Sequence, residues 1–260
     1  TLLLIYLSTF YIIIYFYIKN LTNKMINTPV FIFDIDGTLT APRQKIDEKF
    51  SNFFTSFCEK NTVFLATGSD YKKVIEQVTP NVMSTVEGVF TCMGNELWVA
   101  GEVVYAKTLK VPTEVITWLY QQLYESGYPE IKRGSSHFEY RTGMLNFSIV
   151  GRDIPRNARE EYTNWDKAKK ERELIAQRFN KLFKHYNLEA CIGGQISIDI
   201  QAIGSDKGQI FDYLDFYKKK IFFGDKCELN GNDYSLFKKC KNSFAVRDWK
   251  HTESILKNIK

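Results

Sequence analysis

The sequence has few cysteines, and no two of them are spaced as a Cys-x-x-Cys pair. The five present, Cys58, Cys92, Cys191, Cys227 and Cys240, are an odd number and lie far apart. This spacing argues against a disulfide framework and against a zinc cluster, since both need cysteines in regular sets. We therefore expect a protein of a reducing compartment, and specifically a cytoplasmic one.

A block of basic residues is also lacking. The formal net charge is +5, but the lysines and arginines are spread along the 260 residues, so nucleic acid is not an expected partner. A chain of this length with 44% hydrophobic residues can bury a full core, in one large domain or two smaller ones.

No basic region precedes the long apolar run at residues 2–18, which disfavours a signal peptide. The run is just long enough to span a membrane. However, the chain starts with Thr1, Met25 lies directly before the first predicted strand, and the composition suggests AT-rich codons throughout. We expect residues 1–24 to be an extension translated from upstream of a start at Met25, in preference to a membrane anchor.

The stretch VFIFDIDGTLT, residues 30–40, combines an apolar run with two aspartates one residue apart. Its apolar half predicts a short parallel strand buried on both faces, which ends as the chain reaches Asp34 and Asp36. Open α/β sheets bind ligands at this end of their strands, and residues i and i+2 of an extended chain point the same way. Gly37 permits a sharp turn and Thr38 adds a hydroxyl. The stretch predicts a phosphoryl-transfer site.

Calcium binding is a rival interpretation that the spacing excludes. An EF-hand loop counted from Asp34 needs glycine at its sixth position and glutamate at its twelfth, but these positions hold Leu39 and Lys45. A solvated acidic turn is the other alternative. It leaves unexplained why an apolar strand runs straight into two carboxylates.

A second buried strand, predicted at Thr62–Ala66, leads to Ser69 and Asp70, just before a helix predicted from Tyr71. A hydroxyl and free backbone N–H groups at a helix start suit an anion such as phosphate. Capping of the helix explains Ser69 or Asp70 equally well.

A third buried strand, residues 220–224, ends in Asp225. If it neighbours the first strand, Asp225 joins Asp34 and Asp36 at one sheet edge, and such hard oxygen ligands suit Mg²⁺. Asn232 and Asp233 follow, and they could equally cap a helix that begins near Tyr234.

The pattern changes to α+β between about residues 107 and 204. An amphipathic helix at 115–124, a long helix at 165–186 and alternating strands around 137–150 and 195–201 are predicted there. We therefore expect a Rossmann-like α/β parallel-sheet core, residues 25–106 and 205–260, interrupted by an inserted α+β domain, residues 107–204.

The inserted segment contains five arginines within 27 residues. An arginine presents a planar, permanently charged fork that matches phosphate oxygens. Because most arginines are simply solvated, we expect two or three of the five to be functional. The five are Arg133, Arg141, Arg152, Arg156 and Arg159.

Together these motifs resemble the haloacid dehalogenase (HAD) superfamily with an inserted cap: DIDGT, TGSDY and GDK…GND. The blocks TAPRQKID, KRGSSHFEYRTGMLNFSIVGR, GGQISIDI and FFGDK…NGNDYSLF are similar to eukaryotic-type phosphomannomutases. The resemblance extends from about residue 28 almost to the C-terminus.

The resemblance implies catalytic roles for five residues. Asp34 would be the nucleophile that carries the phosphoryl group, and Asp36 the acid/base. Mg²⁺ would be held by Asp34, the backbone carbonyl of Asp36, and Asp225. Ser69 and Lys207 would match the family's phosphate-stabilising hydroxyl and lysine.

The resemblance also implies a substrate and a reaction. Mannose 6-phosphate and mannose 1-phosphate would interconvert through an aspartyl phosphate and a hexose 1,6-bisphosphate, which also primes the enzyme, and the product would supply GDP-mannose synthesis. A homodimer through the caps is implied as well. The residues that fall on the family's sugar-phosphate contacts are Arg43, Arg141, Arg152, Arg159, Ser197 and Asp199.

Two positions depart from the family's pattern. Cys92-Met93-Gly94 replaces a Glu-Asn-Gly run, and Lys239 replaces an acid of a second, structural cation loop, which we expect to bind no metal. Three alternatives stay open: a sugar-phosphate phosphatase, a mutase that also uses glucose phosphates, and a membrane-tethered binding module. The intact aspartates Asp34, Asp36 and Asp225 argue against the last.

Overall fold

A computed structural model describes residues 28–229 and 231–259. The expectations for residues 1–24 therefore lie outside the described residues. The described residues divide into two compact units: one comprises those up to 104 and from 206 onward, and the other residues 105–205. We call them the core unit and the cap unit. No helix among the described residues is both long and apolar enough to cross a membrane.

The described strands are short, as is usual for α/β proteins. In chain order they are β1 Val30–Phe33, β2 Thr62–Ala66, β3 Gly88–Thr91, β4 Glu96–Val99, β5 Glu102–Ala106, β6 Phe138–Arg141, β7 Met144–Phe147, β8 Leu188–Gly193, β9 Ser197–Ala202, β10 Lys220–Gly224 and β11 Asn242–Ala245.

The described α-helices include several that the sequence patterns predict. In chain order they are α1 Glu48–Cys58, α2 Tyr71–Gln77, α3 Pro80–Thr85, α4 Thr113–Glu125, α5 Arg156–Lys169, α6 Glu171–Leu182, α7 Gln209–Tyr213, α8 Tyr234–Lys239 and α9 Trp249–Leu256.

The core unit is built on a seven-stranded sheet with the order β11-β10-β1-β2-β3-β4-β5. The first five strands of this order pair in parallel, and β4 pairs antiparallel to β3. All four residues of β1 are buried, which confirms the prediction of a strand covered on both faces. The ring of Phe33 meets Phe54 of α1 edge-on and stacks on Phe223 of β10. The apolar run thus anchors Asp34 at the centre of the sheet.

The cap unit contains a four-stranded antiparallel sheet with the order β6-β7-β9-β8. The single helix predicted at 165–186 is wrong, because the chain breaks between α5 and α6 at Lys170, whose φ is 55°. The carboxylate of Asp166 accepts hydrogen bonds from the backbone and the guanidinium of Arg172 across this break. Neither glycine nor proline marks the break, so periodicity alone could not reveal it.

Candidate active site

Asp34 lies at the carboxyl end of β1, in the middle of the core sheet. Its backbone N–H donates to the carbonyl of Phe223 at 2.9 Å, which continues the parallel pairing of β1 with β10. Asp225 directly follows β10. The expected neighbourhood of the two strands is therefore confirmed, and it brings both carboxylates to one sheet edge.

Lys207 is fully buried between two carboxylates of the core unit. Its ammonium donates to Oδ1 of Asp34 and, at 2.6 Å, to Oδ1 of Asp233. The second oxygen of Asp233 accepts from the backbone N–H of Lys226 at 3.1 Å. Although Asp233 precedes α8, its side chain makes no capping hydrogen bond with the described residues of that helix. The capping interpretation of Asp233 is therefore wrong.

Asp34, Asp225 and Asp233 each place a carboxylate oxygen within 4.8 Å of the other two. Gly37 has a φ of 91°, and a Cβ there would overlap the carboxylate of Asp225, so glycine leaves the space that this carboxylate fills. Oδ1 of Asn232 is buried with no hydrogen-bond partner among the described residues. Hard oxygen donors of this kind fit Mg²⁺.

The charges of this cluster are unbalanced without a bound cation. Burial raises the pKa of Asp34, Lys207 opposes that rise, and Asp233 adds to it. Burial likewise raises the pKa of Asp225, opposed by Lys226. Burial alone would lower the pKa of Lys207, but its two carboxylate partners outweigh this and raise it. The raised pKa values of Asp34 and Asp225 reflect carboxylates that are buried close together.

Asp36 belongs to a different hydrogen-bond network from Asp34. Its Oδ1 accepts from Nε2 of Gln77 at 2.8 Å and from the backbone N–H of Arg43 at 2.7 Å. Because β1 ends at Phe33, the alternation argument for Asp34 and Asp36 does not apply to this turn. Arg43 itself is exposed and has a φ of 60°. Gln77 is buried and was not singled out from the sequence.

Ser69 lies in the loop after β2, the parallel neighbour of β1. Its backbone N–H donates to Oγ1 of Thr67 at 3.1 Å, and its carbonyl accepts from the backbone N–H of Cys92 at 2.9 Å. The next residue, Asp70, caps α2 by accepting from the backbone N–H of Lys73. The capping interpretation thus holds for Asp70.

Both positions that depart from the family pattern lie in the core unit. Cys92 and Met93 adopt positive φ values of 50° and 61°, a region that non-glycine residues rarely occupy. The ammonium of Lys239 donates to the carbonyl of Gly208 and to Asp212, each at 3.0 Å. The ammonium of Lys239 therefore links α8 to α7 and to the turn that carries Lys207.

Arg141 and Arg152 meet at a shared carboxylate in the cap unit. Oε2 of Glu139 accepts from Arg141 at 2.8 Å and also forms an ion pair with Nε of Arg152. Burial lowers the pKa of Arg152, and the nearby Arg141 lowers it further. Glu139 was not singled out from the sequence, because a glutamate on a half-exposed strand also fits a solvated face.

Asp199 and Ser197 lie on β9 beside these arginines. The register of β7 and β9 places Asn146 opposite Asp199, and the Asn146 amide donates to the Asp199 carboxylate. Arg152 in turn donates to Oδ1 of Asn146 at 2.8 Å and to Oγ of Ser197 at 3.2 Å. Burial raises the pKa of Asp199, opposed by its hydrogen bond with Asn146. The cap therefore joins four of the predicted residues, with Asn146 as an unpredicted link.

The other three of the five arginines singled out from the sequence are used differently. Arg159 donates to the backbone carbonyls of Arg152 and Ile154, so it braces the segment that carries Arg152. Arg133 donates to carbonyls of the 123–128 segment. Arg156 is exposed and pairs with Glu160. Of the five arginines, Arg141 and Arg152 are thus the two that share the carboxylate of Glu139.

The core unit, with its central parallel sheet and an aspartate at the end of β1, has a HAD-like fold. Solved structures support this fold. A haloacid dehalogenase-like hydrolase from Bacteroides thetaiotaomicron gives a TM-score of 0.56 at 12% identity, covering 90% of this chain and all (100%) of that one. An IMP-nucleotidase from Plasmodium falciparum gives 0.57 at 16% identity, covering 90% and 70%.

The chain belongs to the eukaryotic phosphomannomutase family, whose family model matches residues 50–260. It is 36% identical over 214 residues to a phosphomannomutase of Dendrobium officinale, covering 80% of this chain and 84% of the relative. The corresponding values for a phosphomannomutase of Arabidopsis thaliana are 33% over 218 residues, 82% and 88%. The chain is therefore an enzyme of this family.

Proposed function

We propose that the enzyme interconverts mannose 1-phosphate and mannose 6-phosphate through an aspartyl phosphate on Asp34 and a hexose 1,6-bisphosphate intermediate. The main support for this proposal is the position of Asp34 at the end of β1, where its carboxylate accepts a hydrogen bond from the buried ammonium of Lys207. A carboxylate held in this way can act as the nucleophile that splits one hard displacement into two easier ones.

In the first half-reaction, an oxygen of Asp34 attacks one phosphorus of the bisphosphate, and the sugar oxygen leaves. Asp36 donates a proton to that leaving oxygen. In the second half-reaction, a hydroxyl of a hexose monophosphate gives its proton to Asp36 and takes the phosphoryl group from Asp34. Lys207 and the hydroxyl of Ser69 stabilise the phosphoryl oxygens.

The carboxylates of Asp34 and Asp225 and the backbone carbonyl of Asp36 would hold Mg²⁺, with Asp233 as a further acceptor. Bound Mg²⁺ would offset the charge that develops on the transferring group. Asp233 has a second role, because it shares Lys207 with Asp34 and so fixes where the ammonium points.

The cap cluster would bind the phosphate that is not reacting. Arg43 of the core unit is a further candidate for a phosphate contact. Arg141 and Arg152 supply charged donors, and Arg159 holds the Arg152 segment in place. Ser197 and Asp199 would contact sugar hydroxyls. Family resemblance further suggests a cytoplasmic homodimer that pairs through the cap and supplies GDP-mannose synthesis.

A coupled assay tests this proposal. With Mg²⁺ and a hexose bisphosphate present, mannose 1-phosphate should become mannose 6-phosphate, and Asp34→Asn should abolish turnover. Glucose 1-phosphate assayed in parallel measures selectivity between the two sugars. Release of free phosphate as the main product would show a phosphatase instead.

A further inference from the structure

The acidic residue at the centre of the cap cluster has no role in the functions proposed above. A single oxygen of Glu139, Oε2, bonds the guanidinium groups of both Arg141 and Arg152. The three side chains are 42%, 34% and 28% exposed, so solvent and small anions can reach them. The carboxylate therefore occupies donor positions that a phosphate would also use.

Arg152 does not depend on Glu139 alone for its position. Its NH1 group donates to the neutral oxygens of Asn146 and Ser197, at 2.8 and 3.2 Å. Its backbone is held as well, since its N–H donates to the carbonyl of Ser136 at 2.8 Å and its own carbonyl accepts from Arg159. What Glu139 adds is chiefly a negative charge.

We propose that Glu139 is an internal counter-ion that competes with the ligand's phosphate for Arg141 and Arg152 and so limits how tightly the cap holds it. The inference rests on the proposed function, in which this cluster binds the non-reacting phosphate. It makes Glu139 a residue that sets affinity.

The proposed reaction gives a reason for such a device. The bisphosphate intermediate must leave one orientation and bind in the other during every cycle. Affinity differences between related complexes lie mainly in the dissociation rate, so two unopposed arginines would slow this exchange. Tighter binding of the ground state does not speed chemistry.

Titration calorimetry with inorganic phosphate, at about pH 8 where phosphate is a dianion, tests the proposal. Mg²⁺ is left out, so that the carboxylates of the core unit repel the anion. Glu139→Gln keeps the size and an accepting oxygen but removes the charge. Glu139→Asp keeps the charge on a shorter side chain. Glu173→Gln, which removes an exposed cap carboxylate paired with Lys170, is the matched control.

We expect Glu139→Gln to bind phosphate about fivefold to tenfold more tightly than the unmodified enzyme, as an exposed charge of this kind allows. The gain should shrink as salt is raised, because screening weakens the charge effect. Glu139→Asp should stay within about twofold, and so should Glu173→Gln. In the mutase assay, Glu139→Gln should lower both KM and kcat.

Unchanged or weaker phosphate binding in Glu139→Gln, with an unaltered thermal unfolding midpoint, overturns the proposal, because Glu139 would then only position the arginines. The assignment of the cap is checked separately with Arg152→Gln, which should abolish the binding. Phosphate binding that survives Arg152→Gln would overturn the phosphate-binding role of the cluster itself, whatever Glu139 does.

Discussion

The ammonium of Lys207 lies 2.6 Å from Oδ1 of Asp233, and both side chains are completely buried. The same ammonium also bonds Asp34, and Asp225 lies within the same cluster. Three carboxylates thus gather around one buried lysine. In the proposed mechanism, this arrangement would stabilise the transferring phosphoryl group and a bound cation at the expense of the stability of the ligand-free protein.

Replacing Asp34 with asparagine should stabilise the metal-free protein while abolishing turnover. Burial, opposed by Lys207 and reinforced by Asp233, raises the pKa of Asp34 from 3.8 to about 7. A raised pKa contributes stability that is fully present below about pH 4 and is lost as the pH rises through about 7. The variant has no such loss, so its free energy of unfolding should exceed that of the wild type by up to about 4 kcal/mol near pH 8, since each pKa unit corresponds to about 1.4 kcal/mol.

Urea unfolding of both proteins between about pH 5 and 8 measures this difference, which should grow with pH. Added Mg²⁺ should stabilise the unmodified protein more than Asp34→Asn, because the ion binds the ionised carboxylate. A difference that is constant with pH would show that Asp34 does not titrate in this range.

Replacing Lys207 with methionine should strongly destabilise the protein. The change leaves the carboxylates of Asp34 and Asp233 buried without their shared ammonium, and breaking a buried ion pair on one side costs about 3–5 kcal/mol. Lys220→Met is the control, since Lys220 is also buried but bonds the carbonyl of Tyr217 and lies 4.0 Å from an exposed aspartate. We expect it to cost about 1–2 kcal/mol. Equal losses in the two variants would contradict the special role of the Lys207 cluster.

The sequence predicts the centre of the core sheet well, because buried parallel strands are continuous apolar runs. The strands Thr62–Ala66 and Lys220–Gly224 begin and end where the sequence places them. The convergence of Asp34 and Asp225 was also predictable, since carboxyl ends of parallel strands share an edge.

Other parts of the site depend on tertiary contacts that no local pattern carries. Asp233 follows a glycine and an asparagine and precedes a helix, so its sequence context is that of a cap, but Lys207 reaches it from 26 residues away. Glu139 is a similar case, because its contacts with Arg141 and Arg152 form only in the folded cap unit. Sequence patterns predict structure best where residues close in sequence determine the conformation. The contacts of Asp233 and Glu139 are instead made by residues brought together in the fold.

Gly37→Ala should strongly lower activity, because Asp225 fills the space that a Cβ would need. Gly37 combines a φ of 91° with this close approach, whereas Gly101 has a φ of 83° with no atom within 4 Å of the added carbon. Gly101→Ala therefore measures the effect of backbone strain alone, which should lower the free energy of unfolding by about 1 kcal/mol. We expect Gly37→Ala to lose more stability than Gly101→Ala and at least about a hundredfold in kcat, since displacement of a group by about 1 Å can cost that much. Comparable activity in the two variants would contradict the argument.

Gln77→Ala should lower kcat without a comparable change in KM. The Gln77 amide donates to Oδ1 of Asp36 at 2.8 Å, so its loss frees the carboxylate that the proposed mechanism uses to move protons. A lost orienting hydrogen bond of about 1.4 kcal/mol corresponds to roughly tenfold in rate.

The matched control is Gln122→Ala, which truncates another buried glutamine, one that donates to Glu125 in the cap unit. Its stability should fall by a similar amount, about 1–2 kcal/mol, with kcat unchanged. Steady-state kinetics of both variants, with unfolding measured alongside, separates the two effects. If Gln77→Ala and Gln122→Ala reduce kcat equally, Gln77 acts through stability alone and does not orient Asp36.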